Sequence, residues 1–146
     1  MKKTMQEELL QFPVVIEQSV QWGDMDVAKH VNNVVYLRWS ESARIKYFEK
    51  IEMETSFSNS VGPILAWQDC KYIFPMTYPD TALIAVRLDQ IAEDRFFMLT
   101  HIYSKQHQRL AIISKQAIVP YDYQNLTKAE IPAHWISNMQ KLAAQL

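Results

Sequence analysis

The chain has 146 residues, one cysteine and a formal net charge of −1, with 49% hydrophobic and 21% charged residues. That size and balance predict one globular domain over residues 1–146, able to bury a core yet small enough for an active site to be shared with a second copy. With no basic surplus, nucleic acid is not an expected partner, and a single cysteine, Cys70, excludes an intrachain disulfide and fits a reducing cytoplasm.

The start, MKKTMQEELLQF, carries a lysine pair, but Glu7 and Glu8 interrupt it and no apolar run with a small-residue cleavage site follows, so no signal peptide is expected. No stretch approaches the roughly twenty apolar residues of a membrane span, and the expected location is cytoplasmic. Val14, Ile16, Val20 and Trp22 alternate with Val15, Glu17, Ser19 and Gln21, the period of a half-buried strand. From Val34 to Ile51 the period becomes helical. Tyr36, Trp39, Ala43 and Tyr47 recur on one side and Arg38, Glu41, Lys46 and Glu49 on the other, which predicts a helix of about five turns. Ser40, Ser42 and Ala43 in its middle let it lie close against a sheet, and Asn33 is placed to cap its N-terminus.

After the polar break METSFSNS come four β-rich runs, PILAWQDCKYIF, TALIAVRLDQI, RFFMLTHIYS and RLAIISKQAIV. The breaks between them are short, which favours antiparallel neighbours. The end, PAHWISNMQKLAAQL, predicts a short amphipathic helix with Ile136, Met139, Leu142 and Leu146 on one stripe. Strand, long helix and about four further strands make an α+β domain, one helix on a single antiparallel sheet, with one sheet face left for a second subunit.

Polar chemistry concentrates in WGDMDVAKHVNN, residues 22–33. Of only two glycines, Gly23 and Gly62, the first directly precedes Asp24 and Asp26. A lone Asp in such a loop is usually a turn or cap residue. With Asn33 assigned to the cap, however, two carboxylates and His30 have no evident structural task, and a carboxylate serves as nucleophile or as a base that activates water. His30 is either a satisfied turn histidine or a group that orients one of these acids. The histidines are scattered without HxxxH or HExxH spacing, so no metal is expected. No GxSxG elbow supports a serine triad, and glycines this sparse leave no phosphate-cradling loop for a nucleotide cofactor.

Residues 22–44, WGDMDVAKHVNNVVYLRWSESAR, closely resemble the signature of the 4-hydroxybenzoyl-CoA thioesterase family of hot-dog-fold proteins, and GPILAWQDCKYIFPMTYPDTALIAV fits that family's following strands. The resemblance covers roughly residues 12 to 120. It implies a hot-dog fold, a long central helix wrapped by an antiparallel sheet of about five strands. It also implies dimers that pair their sheets and often form homotetramers, with active sites between subunits. The implied reaction is hydrolysis of an acyl-CoA thioester to a free acid and CoA, without metal or redox cofactor.

By that resemblance Asp26 is the catalytic aspartate, as nucleophile or general base, with Asp24 in support. Gly62 supplies a backbone amide to polarise the thioester oxygen, and Asn33 stands where other branches place a substrate-facing tyrosine or histidine. Asp24, His30, Tyr36 and Arg95 are the expected substrate-contacting residues. Tyr36 belongs with Trp39, Tyr47, Trp67 and Tyr72 to a set of aromatics that either line an acyl pocket or fill the core. Glu41 and Arg44 match the family's E-x-x-R, a spacing that equally suits a helix-surface pair. Two positions depart from the pattern. Lys29 replaces a glycine, which would change the loop or bring a cation toward the acidic pair, and Glu93 and Asp94 leave only Arg95 to hold the CoA nucleotide, so an acyl-carrier-protein substrate stays open. A non-catalytic acyl-thioester-binding dimer and a hot-dog hydratase or dehydratase are the competing readings.

Overall fold

The computed structural model describes residues 2–53 and 61–146. Five strands form one antiparallel sheet in the order β1 (Val14–Ser19), β4 (Thr81–Ile91), β5 (Phe96–Ser104), β6 (Arg109–Asp122) and β2 (Val61–Gln68). Two short strands, β3 (Lys71–Tyr72) and β7 (Thr127–Lys128), add to it by pairing with β6. The long central helix α2 (Asn33–Lys50) lies on the inner face.

Strand alternation puts Ala82, Ile84 and Val86 of β4, Met98 and Ile102 of β5, and Ile112 and Ile118 of β6 on that inner face, all buried. They meet Tyr36, Trp39, Ala43 and Tyr47, whose three- and four-residue spacing makes one stripe of α2. Arg38, Glu41, Lys46 and Glu49 lie on the exposed side. Ser40 and Ala43 are small enough for the helix to approach the sheet and are buried, whereas Ser42 faces out. The C-terminal helix α3 (Ala133–Ala144) closes one end of this core through Trp135, set edge-on to Phe96 at 6.4 Å, and Met139. Its Asn138 amide donates to the Ile51 carbonyl at the end of α2 (2.8 Å).

Several sequence expectations need correcting. Trp22 does not continue the first strand, which ends at Ser19; it starts a 3₁₀ turn, Trp22–Asp24, and is 71% exposed. The cap of α2 is Asn32, whose side-chain oxygen accepts from the Val34 amide (3.0 Å); Asn33 is already the first helical residue. Leu146 lies beyond α3 and is exposed, so the buried stripe is Trp135 and Met139 with Ile136 and Leu142 beside them. A short N-terminal helix, α1 (Met5–Leu9), had no periodic signal. A Thr4–Glu7 capping box starts it, and Met5 packs with Leu83 and Tyr103 away from the main core. The break at 53–60 falls outside the described residues except for Met53, which is buried.

Candidate active site

The loop from Val20 to Asn32 is tied down at both ends. The Val20 amide donates to the Asp80 carbonyl and the Val31 amide to the Met76 carbonyl (both 2.9 Å), which anchors the loop where β4 begins. Inside it, Met25 and Val31 form an isolated bridge, and the Asn32 amide donates to the Asp24 carbonyl (2.9 Å). The acids do carry structural tasks, contrary to the expectation. Asp24 Oδ2 accepts from the Gln21 amide (2.8 Å), closing the 3₁₀ turn, and Asp26 Oδ1 accepts from the Ala28 amide (2.8 Å). Asp24 is half-buried and Asp26 exposed. Among the described residues, Oδ2 of Asp26 has no hydrogen-bond or ion-pair partner. Asp26 is therefore held in place by one oxygen and presents the other.

Lys29 adopts the left-handed conformation a glycine would supply, with φ 63°. Its amide donates to the Asp26 carbonyl (2.9 Å), and the Asp26 amide donates to the His30 carbonyl (3.0 Å). The His30 side chain is exposed and, among the described residues, makes no hydrogen bond.

Beside the N-terminus of α2 is a cavity of about 180 Å³ lined by Val31, Asn33, Tyr36, Tyr72, Ile73, Phe74 and Pro75. The Tyr36 hydroxyl accepts from the Met76 amide (3.0 Å), and the Tyr72 hydroxyl donates to the Asn33 carbonyl (3.2 Å). Burial raises the Tyr36 hydroxyl, and burial followed by the neighbouring Cys70 thiol pushes Tyr72 up to about 12, so both phenols keep their protons at neutral pH. The wall formed by residues 72–75 was the part the sequence reading missed; only Tyr72 stood out there, as one aromatic among five. A larger hollow of about 470 Å³ lies between β1 and the second half of α2, and none of the candidate residues lines it.

Not all candidates converge within one chain. Gly62 pairs with Tyr121 of β6, whereas Tyr72, in contact with Asn33, pairs with Ile112. Those partners stand nine positions apart along β6, roughly 30 Å of strand. Arg95 lies at the same far end as Gly62, just before Phe96, which pairs with Ile118. Its guanidinium is held by the adjacent Asp94 carboxylate (3.0 and 3.1 Å). Asp24, Asp26, His30, Asn33 and Tyr36 thus gather at one end of the sheet, and Gly62 and Arg95 at the other. Among the described residues no three His, Cys, Asp or Glu side chains are grouped to hold a metal ion, and no helix is long and apolar enough to cross a membrane.

Several solved structures share this architecture. A thioesterase from Thermus thermophilus, described in complex with coenzyme A and zinc, superposes with a TM-score of 0.79 at 22% identity, covering 92% of this chain and 96% of that one. The 1,4-dihydroxy-2-naphthoyl-CoA thioesterase Slr0204 from Synechocystis gives 0.78 at 17% identity, covering 88% and 96%. The PA2801 protein from Pseudomonas aeruginosa gives 0.78 at 20% identity, covering 87% and 98%. These likenesses show the hot-dog fold. No curated protein sequence matches the chain. The family model for the thioesterase-like superfamily matches residues 20–146, from the acidic loop through α3. The chain therefore belongs to the thioesterase-like superfamily, and the class of reaction that goes with it is thioester hydrolysis.

Proposed function

We propose that the protein is an acyl-CoA thioesterase close to the 4-hydroxybenzoyl-CoA branch, with Asp26 as nucleophile or general base. The observation that carries this reading is the half-engaged Asp26 carboxylate, fixed through Oδ1 in a tight turn that leads into α2. Beside the start of that helix lies a cavity walled by Asn33, Tyr36 and Tyr72. The N-terminus of α2 carries the positive end of the helix dipole, which favours an oxygen that gains negative charge as the thioester is attacked. Donors aimed at such an oxygen are worth about 10²-fold or more in rate.

The working unit of this proposal is a two-fold dimer. Among the described residues β2 is an edge of the sheet, bonded to β6 on one side, and Leu65 and Trp67 on it are 41% and 48% exposed. A two-fold axis through Leu65 would pair two β2 strands antiparallel and set the partner subunit's Gly62 opposite Gln68. That move carries Gly62, and with it the Arg95 end of the partner, toward the Asp26 end of the first subunit. One site would then combine Asp26, Asn33 and Tyr36 from one chain with the Gly62 amide and the Arg95 cation from the other.

Thiol release from a panel of short, long and aromatic acyl-CoA thioesters tests the activity; binding without release would favour a non-catalytic acyl-thioester binder. Subunit mixing tests the geometry. Asp26→Asn and Gly62→Pro, each inactive alone, should regain part of the turnover when refolded together, because one heterodimer site holds both native groups. No recovery in heterodimers verified by mass would contradict the shared site.

A further inference from the structure

Five polar side chains are buried beneath α2 in an otherwise apolar core: Ser40, Arg44, Thr100, Ser114 and Gln116, none more than 5% exposed. They are linked to one another. The Ser40 hydroxyl donates to Thr100 (3.2 Å), Thr100 to Gln116 (3.1 Å), the Gln116 amide to Ser114 (2.7 Å) and Ser40 (3.3 Å), and Ser114 to the Asp69 carbonyl (2.6 Å). Arg44 ends the chain. Its guanidinium, with five N–H donors, spends one on the Ser40 hydroxyl (3.2 Å) and has no carboxylate within ion-pair distance among the described residues. Glu41, the other half of the E-x-x-R spacing, is exposed and does not pair with it. The Glu41 charge acts on the guanidinium only from a distance; a buried guanidinium with no carboxylate in contact is costly, and a carboxylate is the group whose geometry matches its fork.

Arg44 also lines a second cavity, about 180 Å³, between α2 and β2, together with Val34, Leu37, Arg38, Glu41, Leu65 and Gln68. In Gln68 the side-chain oxygen is buried with no hydrogen-bond partner. Two guanidiniums face one carboxylate across this space, which leaves a net positive charge. The cavity begins at Val34, one residue from Asn33 of the candidate site, and extends ten residues along α2, about 15 Å. Val34, Leu37 and Leu65 give it apolar walls, and because Leu65 lies on the proposed two-fold axis the partner's β2 would border the cavity.

We propose that this cavity receives the far end of the acyl group, and that Arg44 selects thioesters whose chain ends in a carboxylate. The inference rests on the thioesterase reading for the reaction but not for the binding. An ω-carboxyacyl chain would lay its methylenes along Val34, Leu37 and Leu65 and present its terminal oxygens to the unused Arg44 donors.

The test compares kcat/KM for CoA thioesters of a monocarboxylic and an α,ω-dicarboxylic acid of equal length, in wild type, Arg44→Met and Arg44→Lys. Wild type should favour the ω-carboxy substrate by about tenfold or more. That ratio should collapse in Arg44→Met and fall partway in Arg44→Lys, which keeps the charge but loses the fork. Calorimetric binding of the free diacid and monoacid separates this inference from the catalytic reading. If no thioester is hydrolysed, yet the diacid binds wild type and not Arg44→Met, the subsite stands and only the reaction fails. The proposal is overturned if the wild-type ratio is near one and the two acids bind alike. It is equally overturned if the Arg44 variants weaken dimerisation while leaving both ratios unchanged, since Arg44 would then serve the subunit contact.

Discussion

At the scale of single residues, neighbouring asparagines divide structure from chemistry. Asn32 caps α2, so Asn32→Ala should cost about 1 kcal/mol in urea denaturation. Asn33 offers only its backbone carbonyl, to Tyr72, so Asn33→Ala should change stability by less than about 0.5 kcal/mol while lowering turnover. Equal losses of stability in both variants would contradict the assignment. The sequence reading placed the cap one residue late because HVNN offers two equivalent side chains, and only the backbone decides which is still extended. Lys29 makes the complementary point. A left-handed φ costs a residue with a Cβ about 1–2 kcal/mol, and glycine returns about 0.4–1 kcal/mol of that to the unfolded chain. Lys29→Gly should thus stabilise the protein by roughly 0.5–1 kcal/mol, and a lowered urea midpoint would contradict it. The sequence showed a missing glycine there; it did not show that lysine would accept glycine's conformation.

At the scale of elements, the strong periods were legible and the weak ones were not. α2 and the last three strand runs carry sustained patterns, and the structure places them within a few residues of the expected bounds, whereas PILAWQDCKYIF is divided at Asp69 and Cys70 into β2 and the short β3. α1 is a single capped turn and a half, too short for a period, and its place is set by contacts far along the chain. Tyr103 donates to Glu8 (2.7 Å), and its hydroxyl lies 3.2 Å from His101 Nδ1. Burial, then Arg87, lowers the His101 pKa, with Glu8 partly opposing. The folded protein therefore holds His101 neutral to a lower pH than the unfolded chain, which takes up a proton below about pH 6.5. As the unfolded state binds more protons there, stability is present above that pH and is lost as the pH falls through it. The urea midpoint should drop between about pH 7 and pH 5, and His101→Gln should flatten the slope. An unchanged slope in the variant would show that other groups titrate in that window.

At the scale of the whole molecule, the acidic loop and α2 were enough to suggest the thioesterase-like superfamily, because Asp24, Asp26, His30 and the paired asparagines stand close in sequence. What the sequence could not convey is that Gly62 and Arg95 lie at the opposite end of the sheet from Asp26, since that depends on strand register. The proposed pairing through β2 would resolve the separation, and it exposes a weak point. Leu65→Asp would set two like charges together near the proposed axis, so it should yield monomers in sedimentation and lose turnover together with the dimer. An active monomer would rule out the shared site. The central claim is the role of Asp26, and its most direct measurement is single-turnover thiol release by wild type and Asp26→Asn at saturating acyl-CoA. Asparagine keeps an oxygen for the Ala28 amide, so the loop should hold. A rate loss of about 10²-fold or more, with unchanged melting and dimer mass, is the predicted result. Release at the wild-type rate would remove Asp26 from the chemistry.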